Sequence, residues 1–136
     1  MPGIVGNGVS LQGLRSEDFT FTWNISGTGG VNPGVGVPLS QDITADYTVK
    51  QVTDGSIIIG TLMSYENRVQ EGITVAAVAH KTVSVFDYTG TAPTRGNSIL
   101  GSATANKVKL GAAGASPGVV VVAVDTVAST VTVMIG

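Results

Sequence analysis

The stretch whose reading decides the fold is the last one, GVVVVAVDTVASTVTVMIG, residues 118–136. It holds a single acid, Asp125, and no histidine, cysteine, lysine or arginine, so it carries no group for acid–base or nucleophilic chemistry. A membrane anchor, an aggregating tail and a hairpin that closes a β core all begin from such a composition. Asp125, Thr126, Ser129, Thr130 and Thr132 interrupt it well short of the roughly 18 apolar residues of a spanning helix. GVVVVAV is a β-branched run of strand length, as expected of a strand covered on both faces. STVTVMIG alternates Val131, Val133 and Ile135 against Thr130, Thr132 and Met134, as a strand wet on one side does. With Thr126-Val127-Ala128 between them, the two runs read as the terminal hairpin of a barrel. Four consecutive valines without a nearby charge are an aggregation hazard when exposed, so a core or a partner chain is expected to cover this hairpin.

Working back along the chain, ITVAAVAHKTVSVFDYTG (73–90) reads as one long or bent strand. YTVKQV (47–52), Thr53-Asp54-Gly55 and SIIIGTLM (56–63) read as a hairpin, because Asp-Gly between β-rich runs favours a tight turn. SYENRVQEG (64–72) reads as a loop or edge, and GTAPTRGN (90–97) as a turn cluster. SATANKVKL (102–110) fits a short helix or a strand leading into a small-residue loop. SGTGGVNPGVGVP (26–38) is a Gly/Pro-rich loop. In FTFTWNI, strict alternation puts Phe19, Phe21, Trp23 and Ile25 on one face, either as the core side of a strand or as interface anchors. No helical pattern exceeds two turns. The expected class is all-β, a small β-barrel or sandwich of β-tulip or jelly-roll type over residues 19–136. An extended, Gly-rich N-terminal arm is expected over residues 1–18.

Composition excludes several functions. The 136 residues contain no cysteine, which removes disulfides, thiolate metal sites and cysteine nucleophiles. Seven basic and nine acidic residues are scattered, so there is no basic footprint for nucleic acid. The N-terminus lacks the basic start and apolar run of a signal peptide, and no membrane partner is expected. Only 12% of residues are charged, against about 25% in ordinary globular domains. A surface this poor in charge fits a stable contact with other protein.

The search for chemistry finds little to assemble. His80 is the only histidine and has no nucleophile elbow near it. Asp42, Asp46 and Asp54 do not follow a calcium-loop pattern. Glu66 and Glu71 are paired carboxylates in a charged, solvated segment. Neither SGTGG nor GAAGASPG has phosphate-loop spacing. No enzyme activity, metal or cofactor is expected.

The VTDGSIIIGTL run, the central ITVAAVAHKTVSVF and the closing GVVVVAVDTVASTVTVMIG together resemble the capsid decoration, or cement, proteins of tailed bacteriophages. The last stretch is similar to that family's "G-x-V-x-V-D…G/S-x-V-x-V-x-I" hairpin, and the likeness spans residues 45–136. It implies a structural virion protein, made in a bacterial cytoplasm, that sits on the outer capsid surface and stabilises contacts between capsomers. The implied partners are the major capsid protein and further copies of the chain, a trimer being favoured over a dimer. An arm can order by adding a strand to an exposed sheet edge, so Pro2, Ile4, Val5, Val9, Leu11, Leu14 and Arg15 are the expected capsid contacts. The alternative is a β-rich tail-fibre or adhesin module that binds carbohydrate or a host surface.

Overall fold

The computed structural model describes residues 19–26, 28, 32–68 and 73–136. The arm expected at 1–18, with its seven candidate contacts, lies outside these residues, as do Glu71 and the side chain of Phe19. Among the described residues the chain is all β, with no helix. Nine strands follow one another: β1 (Phe19–Ser26), β2 (Pro38–Gln41), β3 (Thr48–Gln51), β4 (Ile58–Arg68), β5 (Ile73–Asp87), β6 (Ser98–Gly101), β7 (Val108–Gly111), β8 (Val119–Asp125) and β9 (Thr130–Ile135).

Five of them close a barrel. β1 lies parallel to β3, β3 pairs with β2, β2 with β4, β4 with β5, and β5 returns to β1. Of the two architectures expected, barrel or sandwich, the chain forms the barrel, with extra strands attached. β5 makes that attachment possible. Its first part, to Lys81, is walled in by β4 and β1, whereas Thr82–Asp87 leaves the ring and pairs with β9. β8 follows outside β9, and β6–β7 is a separate hairpin. The 118–136 hairpin therefore forms, but it extends the sheet beyond the barrel instead of closing it.

The core divides in the same way. Ile25, Leu39, Val49, Leu62, Ala76 and Val78 fill the barrel. A larger cluster holds Val52, Ile58, Phe86, Tyr88, Ile99, Val108, Val119, Val121, Val131, Val133 and Ile135. At the passage from one to the other Gly60 is obligatory. A methyl group there would stand 2.5 Å from Cγ1 of Val78 and 2.7 Å from the Ala79 carbonyl oxygen.

Three local expectations are corrected. The Asp54-Gly55 turn exists, with Gly55 at φ 77° and Ser56 N donating to Thr53 O, but β3 and β4 do not pair. The short β2 lies between them, Leu39 facing Gln51 on one side and Gly60 on the other. The turn is instead pinned to β6, Gly55 N donating to Gly101 O and Gly101 N to Ser56 O. SYENR continues β4 to Arg68, because Ser64–Arg68 finds a full antiparallel partner in Ile73–Ala77. SATANKVKL is neither a helix nor a single strand. It is the 103–106 turn of the β6–β7 hairpin and then β7, with Asn106 at φ 62°.

Candidate functional site

Alternation along β5 is inverted relative to ordinary amphipathic patterning. Ser84 is buried beside Phe86, and Val83 and Val85 stand 62% and 58% exposed. Burying a hydroxyl is tolerable only with a partner, and Ser84 Oγ has one in Thr61 Oγ1 at 2.7 Å. The same outward face continues across the sheet. Val83 is opposite Met134, Met134 opposite Val120, and Val85 opposite Thr132, which faces Ala123. Val122 stands exposed at the register shift between Val121 and Ala123. Val83, Val85, Val120, Val122 and Met134 thus lie on the outside of three adjacent strands. Among the described residues charge appears only at the margins of this face, Lys81 at one end and the Asp87–Thr130–Asp125 row at the other.

The sequence reading missed this surface. It covered the valines of β8 on both faces, whereas Val119 and Val121 are buried and Val120 and Val122 are exposed. A homopolymeric valine run hides which face is inside. The signal available was KTVSVFD, where serine and phenylalanine share the face opposite two valines.

The expected aromatic face of β1 is only partly internal. Ile25 is buried in the barrel, Trp23 is half-buried against it, and Phe21 is 54% exposed. His80 organises this end. Its Nδ1 lies 3.0 Å from the Ile59 carbonyl oxygen, and Trp23 Nε1 donates to its Nε2 across 2.7 Å. A carbonyl only accepts and an indole N–H only donates. The ring is therefore neutral with its proton on Nδ1, and the Phe21 ring meets it edge-on at 6.0 Å. Both of its ring nitrogens are engaged in these contacts.

The carboxylates are committed or dispersed. Asp42 accepts hydrogen bonds from Ser26 Oγ at 2.6 Å, from Thr44 Oγ1 at 2.5 Å and from Thr44 N at 3.0 Å. These bonds, Ser26 first, hold its carboxyl down at about 2. The loop so braced carries Ile43, 87% exposed, and Tyr47 in the left-handed region at φ 51°. Asp54 pairs with Lys109 at 2.7 Å on the rim of a groove of about 360 Å³, in which Thr89 and Ser102 bond each other at 2.6 Å. Glu66 is exposed on β4. Among the described residues no three histidine, aspartate or glutamate side chains gather as a metal site. Comparison with protein-family models, with curated proteins and with solved structures finds no match.

Proposed function

We propose that the protein docks, by the outer face of β5, β9 and β8, onto another protein surface, as a capsid decoration protein of a tailed bacteriophage. The observation that carries the docking reading is the five-residue apolar face. Contiguous apolar surface of this kind marks interaction sites in soluble proteins, and interface centres are poor in charge, as this face is. The resemblance in residues 45–136 supplies the identity of the partner, an assembled shell. A shell offers many identical sites, so a modest contact repeated over the lattice gives firm attachment. In this reading copies of the chain assemble, as trimers in preference to dimers, and clamp neighbouring capsomers from outside. The adhesin alternative needs aromatic side chains free to stack on sugar. The one tryptophan is half-buried with its N–H bonded to His80, so that reading would fall to Tyr47, 79% exposed on a loop away from the β5–β9–β8 face.

The test is co-sedimentation with empty phage shells, after light scattering has given the size of the free protein. The expected result is a fixed copy number per shell for the natural chain. A Val83→Asp/Met134→Asp variant should unfold at the same urea concentration to within about 0.5 kcal/mol of stability and no longer pellet with shells. Full coating by that variant would sink the assignment of this face.

A further inference from the structure

The outer face of β5, β9 and β8 is a grid of four rows. Two central rows are apolar, Val83 beside Met134 and Val120, then Val85 beside Thr132 and Ala123, with Val122 exposed at the register shift. One end row is Asp87, Thr130 and Asp125. The other starts at Lys81 and runs through Gly136 to Gly118, Gly136 N donating to Gly118 O. A methyl group on Gly136 would stand 3.1 Å from Cγ of Lys81, so the lysine stem lies against β9. The face therefore has a positive end on β5 and a negative end on β5 and β8. Among the described residues neither Lys81 nor Asp87 has an ion-pair partner within its own copy. A surface with unlike ends can be complementary to itself.

We propose that a second copy of the chain covers this face in the free protein, as a two-fold dimer with β5 stacked on β5 in opposite directions. The proposal rests on the reading of this face as a docking surface and names its occupant away from a shell. A two-fold axis between stacked sheets lies in the plane that separates them, either along the strands or across them. The charges choose between the two. With the axis along the strands, Asp87 would face Asp125 of the second copy and Lys81 would face Gly118. With the axis across the strands, Lys81 faces Asp87 of the second copy at both ends of the contact. Val83 then lies over Val85 of the second copy, and Met134 over Thr132. Closed two-fold contacts are the commonest in homo-oligomers. Sheets stack about 10 Å apart, a gap that a lysine and an aspartate span together. An apolar centre with charge at the rim is also the layout of protein interfaces. The patch is small, about 20 Å along the strands, since six steps of roughly 3.3 Å separate Lys81 from Asp87. Three strands wide, it falls short of the roughly 800 Å² per partner of a standard interface, so the dimer is reversible. It shields the valines until a lattice of shell sites outcompetes it. The trimers of the docking reading belong to the shell, where this face is turned to the capsid.

Sedimentation equilibrium of the full chain over a range of concentrations tests this, with a charge-exchange series. The natural chain should pass from monomer to dimer as concentration rises, and Val83→Asp/Met134→Asp should remain a monomer. Lys81→Glu sets two acids against each other at both ends and should weaken the dimer at least about tenfold, and Asp87→Lys should do the same with two bases. Lys81→Glu/Asp87→Lys exchanges the ends and should restore dimerisation to within about threefold of the natural chain. Both side chains are exposed, and the urea midpoint reports that each variant is folded. A natural chain that is monomeric at every concentration would overturn the proposal, as would a trimer in place of the dimer. A double exchange as weak as the single ones would also overturn it, because β5 would then not oppose β5. Co-sedimentation with empty shells reads the docking separately. A strict monomer that coats shells overturns the dimer and leaves the docking reading standing, whereas a dimer rescued by the exchange that ignores shells upholds the dimer and removes the capsid as partner.

Discussion

In the barrel every strand has a strand on each side, and the ring leaves no margin for another chain. In the second half of the molecule β5 beyond Lys81 has one strand neighbour, and β8 has one strand neighbour and a loop, Gly96 N donating to Val121 O and Val121 N to Asn97 O. Among the described residues the two apolar clusters are sized the opposite way, six buried side chains in the closed barrel and eleven in the open part. Closure satisfies the backbone with little apolar volume inside, whereas an open sheet holds together by packing one face well. Its other face remains available, and here that face is apolar. The contrast puts the exposed apolar face on the open half and the closed ring of strands on the other, with β5 common to both.

The strongest way to break this contrast is to empty the larger core. Phe86→Ala should cost about 3–5 kcal/mol, a large fraction of the total stability of a small domain. Urea unfolding should still show one transition, seen equally by Trp23 fluorescence in the barrel and by far-ultraviolet circular dichroism, because β5 runs through both cores. Two separated transitions would mean that the halves are independent. Gly60→Ala attacks the passage between them. Its methyl group meets the Val78 side chain and the Ala79 carbonyl, and overpacking of this sort costs about 1–3 kcal/mol, read as a shift in the urea midpoint. Ser116→Ala sharpens the account of the open half. Ser116 Oγ accepts from Ile58 N at 2.9 Å and donates to Ile99 O at 2.6 Å, tying β4 to β6 within the core. Two buried backbone groups lose their partner, for a similar or smaller loss of about 1–3 kcal/mol. The smallest effect belongs to the barrel loop. Asp42 titrates at about 2 when folded, against 3.8 ordinarily, so folding favours its ionised form. That contribution is complete above pH 4 and is lost as the pH falls through about 2. In Asp42→Asn the decline in thermal midpoint between pH 4 and pH 2 should be shallower than in the natural chain.

Legibility from sequence followed the range of the interaction. The alternation of Val131, Val133 and Ile135 against Thr130, Thr132 and Met134 is reproduced strand by strand in β9, and ITVAAVAHKTVSVFD is one long strand. β2 escaped notice because four residues, PLSQ, with a proline at the first position, give no period to read. Its place between β3 and β4 overrode a sound local turn signal at Asp54-Gly55. The candidate site was less legible still, since exposure of Val120 and Val122 depends on which side of β8 the core occupies.

By itself, then, the amino-acid sequence determined that the described residues are β with no helix, that the last nineteen form a hairpin, and that thiol chemistry is impossible. These follow from composition and from a period-two pattern, which act over a few residues. Only the tertiary structure decided that β1 returns to β5 to shut the ring, that the hairpin lies outside it, and that valines instead of serine face solvent on β5. Each of these is a choice of partner between segments far apart in the chain. Such choices are made by packing of the two cores and by satisfaction of buried backbone and hydroxyl groups, which no local pattern encodes.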